Sequence, residues 1–195
     1  MPRFAPTLWL FLFAGLAVPS SAGLLEVGRL QFDLTEEPRS GELWYEIAVT
    51  VEARRGEGDL LGKRFTDSVE VACSLAFEVE REGERGFAFY RAELEWVTID
   101  EGRHVARFYL PPEVVERDRL RGAPHSFQIR LQAEGQDPVW FWSDSLEREA
   151  SRERFLTLLE VEASRNAGIL RSQRLTPFAW LYPESTPTER FTSIR

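Results

Sequence analysis

The stretch from Val69 to Glu80 constrains the fold more than any other part of the chain. Val69, Val71, Cys73, Leu75, Phe77 and Val79 occupy alternate positions, with Glu70, Ala72, Ser74, Ala76, Glu78 and Glu80 between them. Successive side chains of a β-strand point to opposite faces, so this pattern gives one apolar face and one polar or small face. Helical geometry would scatter the same apolar residues around the axis and leave no single buried stripe. A strand of this kind needs other strands to bury its apolar face, and it is expected to be central in its sheet.

Cys73, the sole cysteine, sits on that apolar face. One thiol cannot form an intramolecular bridge, and on a buried face a free cysteine behaves as a small hydrophobe. An intermolecular disulfide is the competing reading, and a nucleophilic thiol would need a base and partial exposure.

The amino terminus reads as a signal peptide. Arg3 supplies a positive n-region, Leu8 to Val18 form an apolar core, and Pro19-Ser20-Ser21-Ala22 offers small residues to a signal peptidase. The apolar run falls short of the roughly 20 residues a membrane span needs. Residues 1–22 are therefore expected to be removed, and the sequenced amino terminus of the exported chain is expected at Gly23. Gly23, not a cysteine, stands directly after the cleavage point, so no lipid anchor is indicated. The expected location is periplasmic or extracellular, with no membrane span after signal removal. The net charge of −8 argues against general nucleic-acid binding, which needs a basic footprint to displace counterions from phosphate.

Beyond the signal, alternation recurs in Gly23 to Leu34 and more cleanly in Glu42 to Ala53. Arg54 to Arg64 is a charged, glycine-containing loop, and Glu82 to Gly86 a hairpin break. In Phe87 to Ile99 the apolar set changes face near Trp96-Val97, which predicts a bulge or a strand covered on both sides. Asp100-Glu101-Gly102 reads as a short turn leading into the strand that ends at Leu110. Pro111 to Arg121 predicts one or two helical turns, with Pro112 in the first turn and Glu113 at the positive end of the dipole.

Phe127, Ile129, Leu131 and Ala133 define the next strand, and Val139 to Trp142 the last of the run, after a turn at Gly135–Pro138. Asp144-Ser145-Leu146-Glu147 has the form of a capping box ahead of a helix from about Ser145 to Asn166. Phe155, Leu158, Leu159 and Ala163 would form its apolar stripe. The tail from Ile169 to Arg195 is proline-containing. It is expected to pack through Phe178, Trp180 and Tyr182 and to fray beyond Tyr182.

Strands at hairpin spacing, one short helical crossover and no fixed-period repeat fit an all-β antiparallel sandwich better than a parallel α/β sheet. The expected organisation is a signal peptide over 1–22, a sandwich domain over 23–144, and a helix plus tail over 145–195 packed on the sandwich.

Signals for chemistry are sparse. His104 lies on the apolar face of a strand and reads as a hydrogen-bonded core histidine, while His125 reads as a surface loop residue. Neither falls in an HExxH or CxxC…HxxxH spacing, and no EF-hand loop, G-x-S-x-G elbow or P-loop occurs. The glycines of Arg55–Gly62 sit in an acidic context that would repel phosphate. Glu93 with Glu95, or Glu78 with Glu80, could supply the carboxylate pair of a glycosidase, but any solvated strand face shows the same spacing.

Aromatics are the stronger signal. Trp44, Trp140 and Trp142 lie on the faces opposite the core sets of their strands. Indoles on an exposed sheet could stack on sugar rings or anchor a protein. Alternatively, the C-terminal helix and the Phe178–Tyr182 segment cover them.

The order of elements resembles bacterial exported immunoglobulin-like β-sandwich domains, including ones of envelope or pilus-like assemblies. WYEIAVTVEAR would be a B-type strand, VEVACSLAFEV a C-type strand, and RFYLPPEVVERD an E strand running into the crossover. FQIRLQA and VWFW would form the F–G hairpin. The chain departs from antibody-type domains by lacking the paired inter-sheet cysteines. The resemblance implies the fold, and fold alone does not give function.

Two classes of function follow. One is a non-catalytic interaction or structural module of the cell envelope, with a protein partner and no cofactor. The other is a carbohydrate-binding module using exposed tryptophans. Candidate contacts are Trp44, Trp140, Trp142, Phe178, Trp180 and Tyr182.

Overall fold

The computed structural model describes residues 24–54, 65–81, 83–183 and 186–190. The expected signal peptide and most of the loop over 54–64 lie outside these residues.

The alternating stretch belongs to a 17-residue strand, β3 (Phe65–Arg81). It pairs antiparallel with β4 (Glu84–Asp100) along its whole length, from Phe65↔Asp100 to Arg81↔Glu84. On its other side it pairs with β6 (Ser126–Gln132), which in turn pairs with β7 (Val139–Trp142). The order β4-β3-β6-β7 makes β3 central. The second sheet has the order β1 (Leu25–Glu36), β2 (Leu43–Ala53), β5 (Gly102–Leu110), β8 (Arg171–Ser172). The B-type strand β2 lies between β1 and E-type β5, and C-type β3 lies beside F-type β6. This is the immunoglobulin-like sandwich that the order of elements implied.

The core forms where the two inner faces meet. Tyr45, Ile47, Val49 and Val51 of β2 face Val69, Val71, Cys73 and Leu75 of β3, with Ile129 and Leu131 of β6, and all of these are fully buried. Burial pushes the Cys73 thiol far above its ordinary pKa, which leaves it protonated and unreactive.

One local expectation takes a different form. Register between β3 and β4 is unbroken around Trp96, so no residue is inserted there. The irregularity instead falls on Ser68, whose φ of 49° is the left-handed conformation. Past it the buried position passes from Trp96 to Ile99. The turn at Asp100–Gly102 joins β4 of one sheet to β5 of the other, so it is a corner of the sandwich. Gly102 takes φ 136°, a conformation that side-chain-bearing residues resist.

Helix α1 (Pro112–Arg117) is the crossover between β5 and β6, with Pro112 in its first turn and Glu113 near its positive end. Asp118 follows as its C-cap. The Asp118 carboxylate is fully buried and accepts from Arg81 Nη2 at 2.8 and 2.9 Å, from Arg117 Nε and Nη2 at 2.9 and 2.8 Å, and from Tyr90 Oη at 2.5 Å. Tyr45 Oη donates to the Gly122 carbonyl at 2.6 Å and holds the following loop to β2.

Helix α2 (Glu149–Glu162) starts later than the sequence suggests, because the capping box does not form. Asp144–Leu146 is a 3-10 turn without a side-chain cap. The hydroxyls nearby tie this turn to β6 instead. Ser143 Oγ accepts from Phe127 N at 3.1 Å, and Ser145 Oγ donates to the His125 carbonyl at 2.9 Å. The expected stripe is nonetheless the one used. Phe155 and Leu159 pack on Ala76 and Phe89, flanked by Leu158, Ala163 and Trp142. The small residues on the second face of β3 are there because a helix lies against one end of it.

Candidate functional site

The tail after α2 runs across the other sheet. Arg171–Ser172 adds to β5 as β8, and a 3-10 turn at Gln173–Leu175 begins a compact segment ending at Tyr182. Buried Gln173 organises that segment. Its Nε2 donates to the carbonyls of Phe178 and Leu181 at 3.0 and 2.5 Å, and its Oε1 accepts from Thr186 Oγ1 at 3.3 Å. Thr176 Oγ1 donates to the Gln173 carbonyl at 2.6 Å and accepts from Phe178 N at 3.2 Å. Ala179 N and Leu181 N close further turns onto Thr176 and Phe178. Seven backbone polar groups are thereby satisfied within a loop, which fixes it in one conformation.

Phe178 plugs the segment into the sheet. It is fully buried, stacks on Tyr109 at 4.4 Å and 7°, and meets Trp44 edge-on at 5.7 Å and 85°. Trp44 is covered, and Trp44 and Phe178 therefore leave the set of surface contacts that the sequence suggests. On the outer side of the same turn, Trp180 is 88% exposed. Tyr182 is 45% exposed, with the Arg107 guanidinium 4.2 Å from its ring centroid. Arg107 Nε is itself held by Glu46 at 3.1 Å.

Among the described residues beyond Tyr182, 186–190 are docked rather than frayed. Glu189 forms a bridge with Trp96, the edge of the opposite sheet, while Val97 N donates to the Thr188 carbonyl at 3.0 Å and Arg190 N to the Glu95 carbonyl at 2.7 Å. The Glu189 side chain is buried and accepts from Ser172 Oγ at 2.7 Å, and Arg174 Nη1 reaches the Glu189 carbonyl at 2.6 Å. Burial pushes the Glu189 carboxyl up from its ordinary pKa, and the Ser172 hydrogen bond and Arg174 charge offset only part of that. One strap thus joins β5 of the first sheet to β4 of the second.

Trp140 and Trp142 lie on the other sheet, on its outer face, so the three sheet tryptophans do not form one surface. The two indoles stack at 5.9 Å and 19°. Trp142 packs against the α2 cluster, with Arg152 5.2 Å from its ring, whereas Trp140 is 46% exposed.

The other candidates are engaged structurally. His104 Nε2 lies 2.9 Å from the Asp100 carbonyl and its ring tilts against Trp96, while exposed His125 contacts Ser126 Oγ at 2.8 Å and the Phe87 ring. Glu95 receives Ser68 Oγ at 2.5 Å and Arg190 at 2.8 Å, and Glu93 lies 3.8 Å from Arg91. Among the described residues no group of three or more His, Cys, Asp or Glu is placed to hold a metal ion, and no helix is long and apolar enough to cross a membrane.

Gln173 and Glu189 escaped the sequence reading. Each acts through a contact distant in sequence, and neither belongs to a periodic pattern. The proline spacing of the tail suggested an extended path but not where it would dock.

No family model and no curated protein matches the chain. A crystal structure of a protein from Akkermansia muciniphila is similar, with a TM-score of 0.68 at 17% identity, covering 86% of this chain and 93% of that one. At that identity the likeness establishes the sandwich and nothing finer.

Proposed function

We propose that the chain is a non-catalytic interaction module, exported to the bacterial cell envelope, that holds a protein partner through Trp180. The observation carrying this reading is an indole 88% exposed on a turn whose backbone is locked from beneath. Leaving a large apolar side chain in water forgoes roughly 1.5–3 kcal/mol of burial. A tip that was only frayed would not need Gln173, Thr176 and Phe178 to hold it in place. A rigid turn also loses little entropy on binding, which is how an anchor residue is best presented. Tryptophan, tyrosine and arginine dominate interface hot spots, and the Arg107–Tyr182 contact lies on the same segment, two residues beyond Trp180. A partner of matching chemistry offers an apolar cleft wide enough for an indole. Placement in an envelope or pilus-like assembly fits the signal peptide and the sandwich.

Site-specific photocrosslinking tests the reading in the native envelope. A crosslinker at position 180 is expected to give a discrete protein adduct, while one at exposed Val161 on α2 gives none. Trp180→Ala should abolish partner retention and leave stability within about 0.5 kcal/mol, as for other surface changes. Absence of an adduct at 180, or the same adduct at 161, would rule the surface out.

A further inference from the structure

The outer face of the β4-β3-β6-β7 sheet carries a second binding surface. Its cross-strand registers set out three rows next to α2. At the foot of the helix lie Trp142, Gln128, Ser74 and Arg91, followed by Trp140, Arg130, Ala72 and Glu93, and then Gln132, Glu70 and Glu95. Ser74 and Ala72 are small and buried beneath their longer neighbours, so the face is lowest at its middle and presents the longer side chains around it. Helix α2 stands along one side, packed on Ala76, Phe89 and Trp142. Residues Thr188 and Arg190 extend the edge of the face at β4 through their bonds to Val97 and Glu95. Four strands span three inter-strand spacings, about 14 Å. That length admits a short chain of rings.

The chemistry of this floor is selective. Trp140 stands at its β7 end as a half-exposed indole, held by its stack on Trp142. Beside it, Arg130 is paired with Glu70 and donates to Gln132 Oε1 at 3.1 Å, with its guanidinium 5.9 Å from the Trp140 centroid. Glu70 neutralises Arg130, Glu93 lies against Arg91 and Glu95 against Arg190, so the floor carries no cationic excess for an anion. A protein interface core would be depleted of charge and built from several apolar side chains, whereas this face has one open aromatic among polar groups. Hydroxyl-rich rings with an apolar C–H face match what remains: an indole to stack on, and amide, guanidinium and carboxylate groups to hydrogen-bond.

We propose that this face binds a neutral oligosaccharide, with Trp140 as the stacking platform and Arg130, Gln132 and Glu70 as hydrogen-bonding partners. The site is separate from Trp180 and lies on the opposite sheet.

The test is titration of the mature chain with cellotetraose, maltotetraose, N-acetylchitotetraose and, as an anionic control, a tetramer of galacturonic acid, followed by amide NMR and tryptophan emission. At least one neutral tetrasaccharide is expected to shift β6 and β7 resonances and change the emission. Trp140→Ala should weaken that binding at least tenfold with an unchanged melting temperature, Trp140→Phe should retain part of it, and Trp180→Ala should leave it intact. Silence of all three neutral sugars, preference for the anionic one, or undiminished binding by Trp140→Ala would overturn the proposal. None of those results bears on the partner held by Trp180.

Discussion

Replacing Asp118 with alanine is expected to destabilise the fold by about 3–5 kcal/mol, the range for breaking a buried ion pair by removing one partner. The value should fall toward the lower end, because Arg81 and Arg117 are nearly half exposed and can turn to water. Tyr90 has no such escape: its hydroxyl is buried, and losing its acceptor costs a further desolvation penalty. Equilibrium urea denaturation at neutral pH measures the loss, and a change below about 1 kcal/mol would show that the cluster is dispensable.

The same group predicts a pH dependence. Burial alone would raise the Asp118 pKa, but the hydrogen bonds from Arg117, Tyr90 and Arg81 outweigh it and hold the carboxyl below its usual value. A depressed folded-state pKa contributes stability above the unfolded value, near 3.9, and loses it as pH falls through the folded value. The wild type should therefore lose stability on acidification below about pH 4. Asp118→Asn should start from a lower stability at pH 7 and show a shallower acid limb.

Phe178→Ala should have a comparable but local effect. Removing a fully buried phenylalanine costs about 3–5 kcal/mol, and the stacked and edge-on contacts with Tyr109 and Trp44 place this residue in that class. The strap has few other apolar contacts, so it should open without unfolding the sandwich. Hydrogen exchange is expected to show lost protection at residues 173–181, with β2, β3 and β6 still protected. Trp44 emission should become open to acrylamide quenching. Unchanged protection in the segment would mean that Gln173 and Thr176 hold it without the ring.

Strands were legible because a period of two is a physical consequence of the pleat, and five of them matched the immunoglobulin-like order. Alternation also identified which side of its strand each tryptophan takes. It could not say which sheet each strand joins, and so Trp44 and Trp140, equivalent in pattern, lie on opposite sheets under different cover. The corner at Gly102 and a hairpin use the same residue types, and only the partner strands distinguish them. The capping box at Asp144 failed for a related reason: Ser143 and Ser145 found partners on a strand nearly twenty residues upstream. The strap was the least legible part. Its docking rests on two-residue pairings and single side chains such as Gln173, which repeat nowhere along the chain.

The strap also sets an order of events. Every strand it fastens is synthesised before it, so the edges of β4 and β5 stay unpaired until residues 171–190 have left the ribosome and, for an exported chain, the translocation channel. Exposed edges template intermolecular pairing. A chain truncated upstream of Glu189 would keep the two sheets and much of the core but carry open edges on one flank. Such products are natural substrates for proteases and for aggregation, and the join between Ser172 and Glu189 therefore closes the flank that the earlier strands leave open.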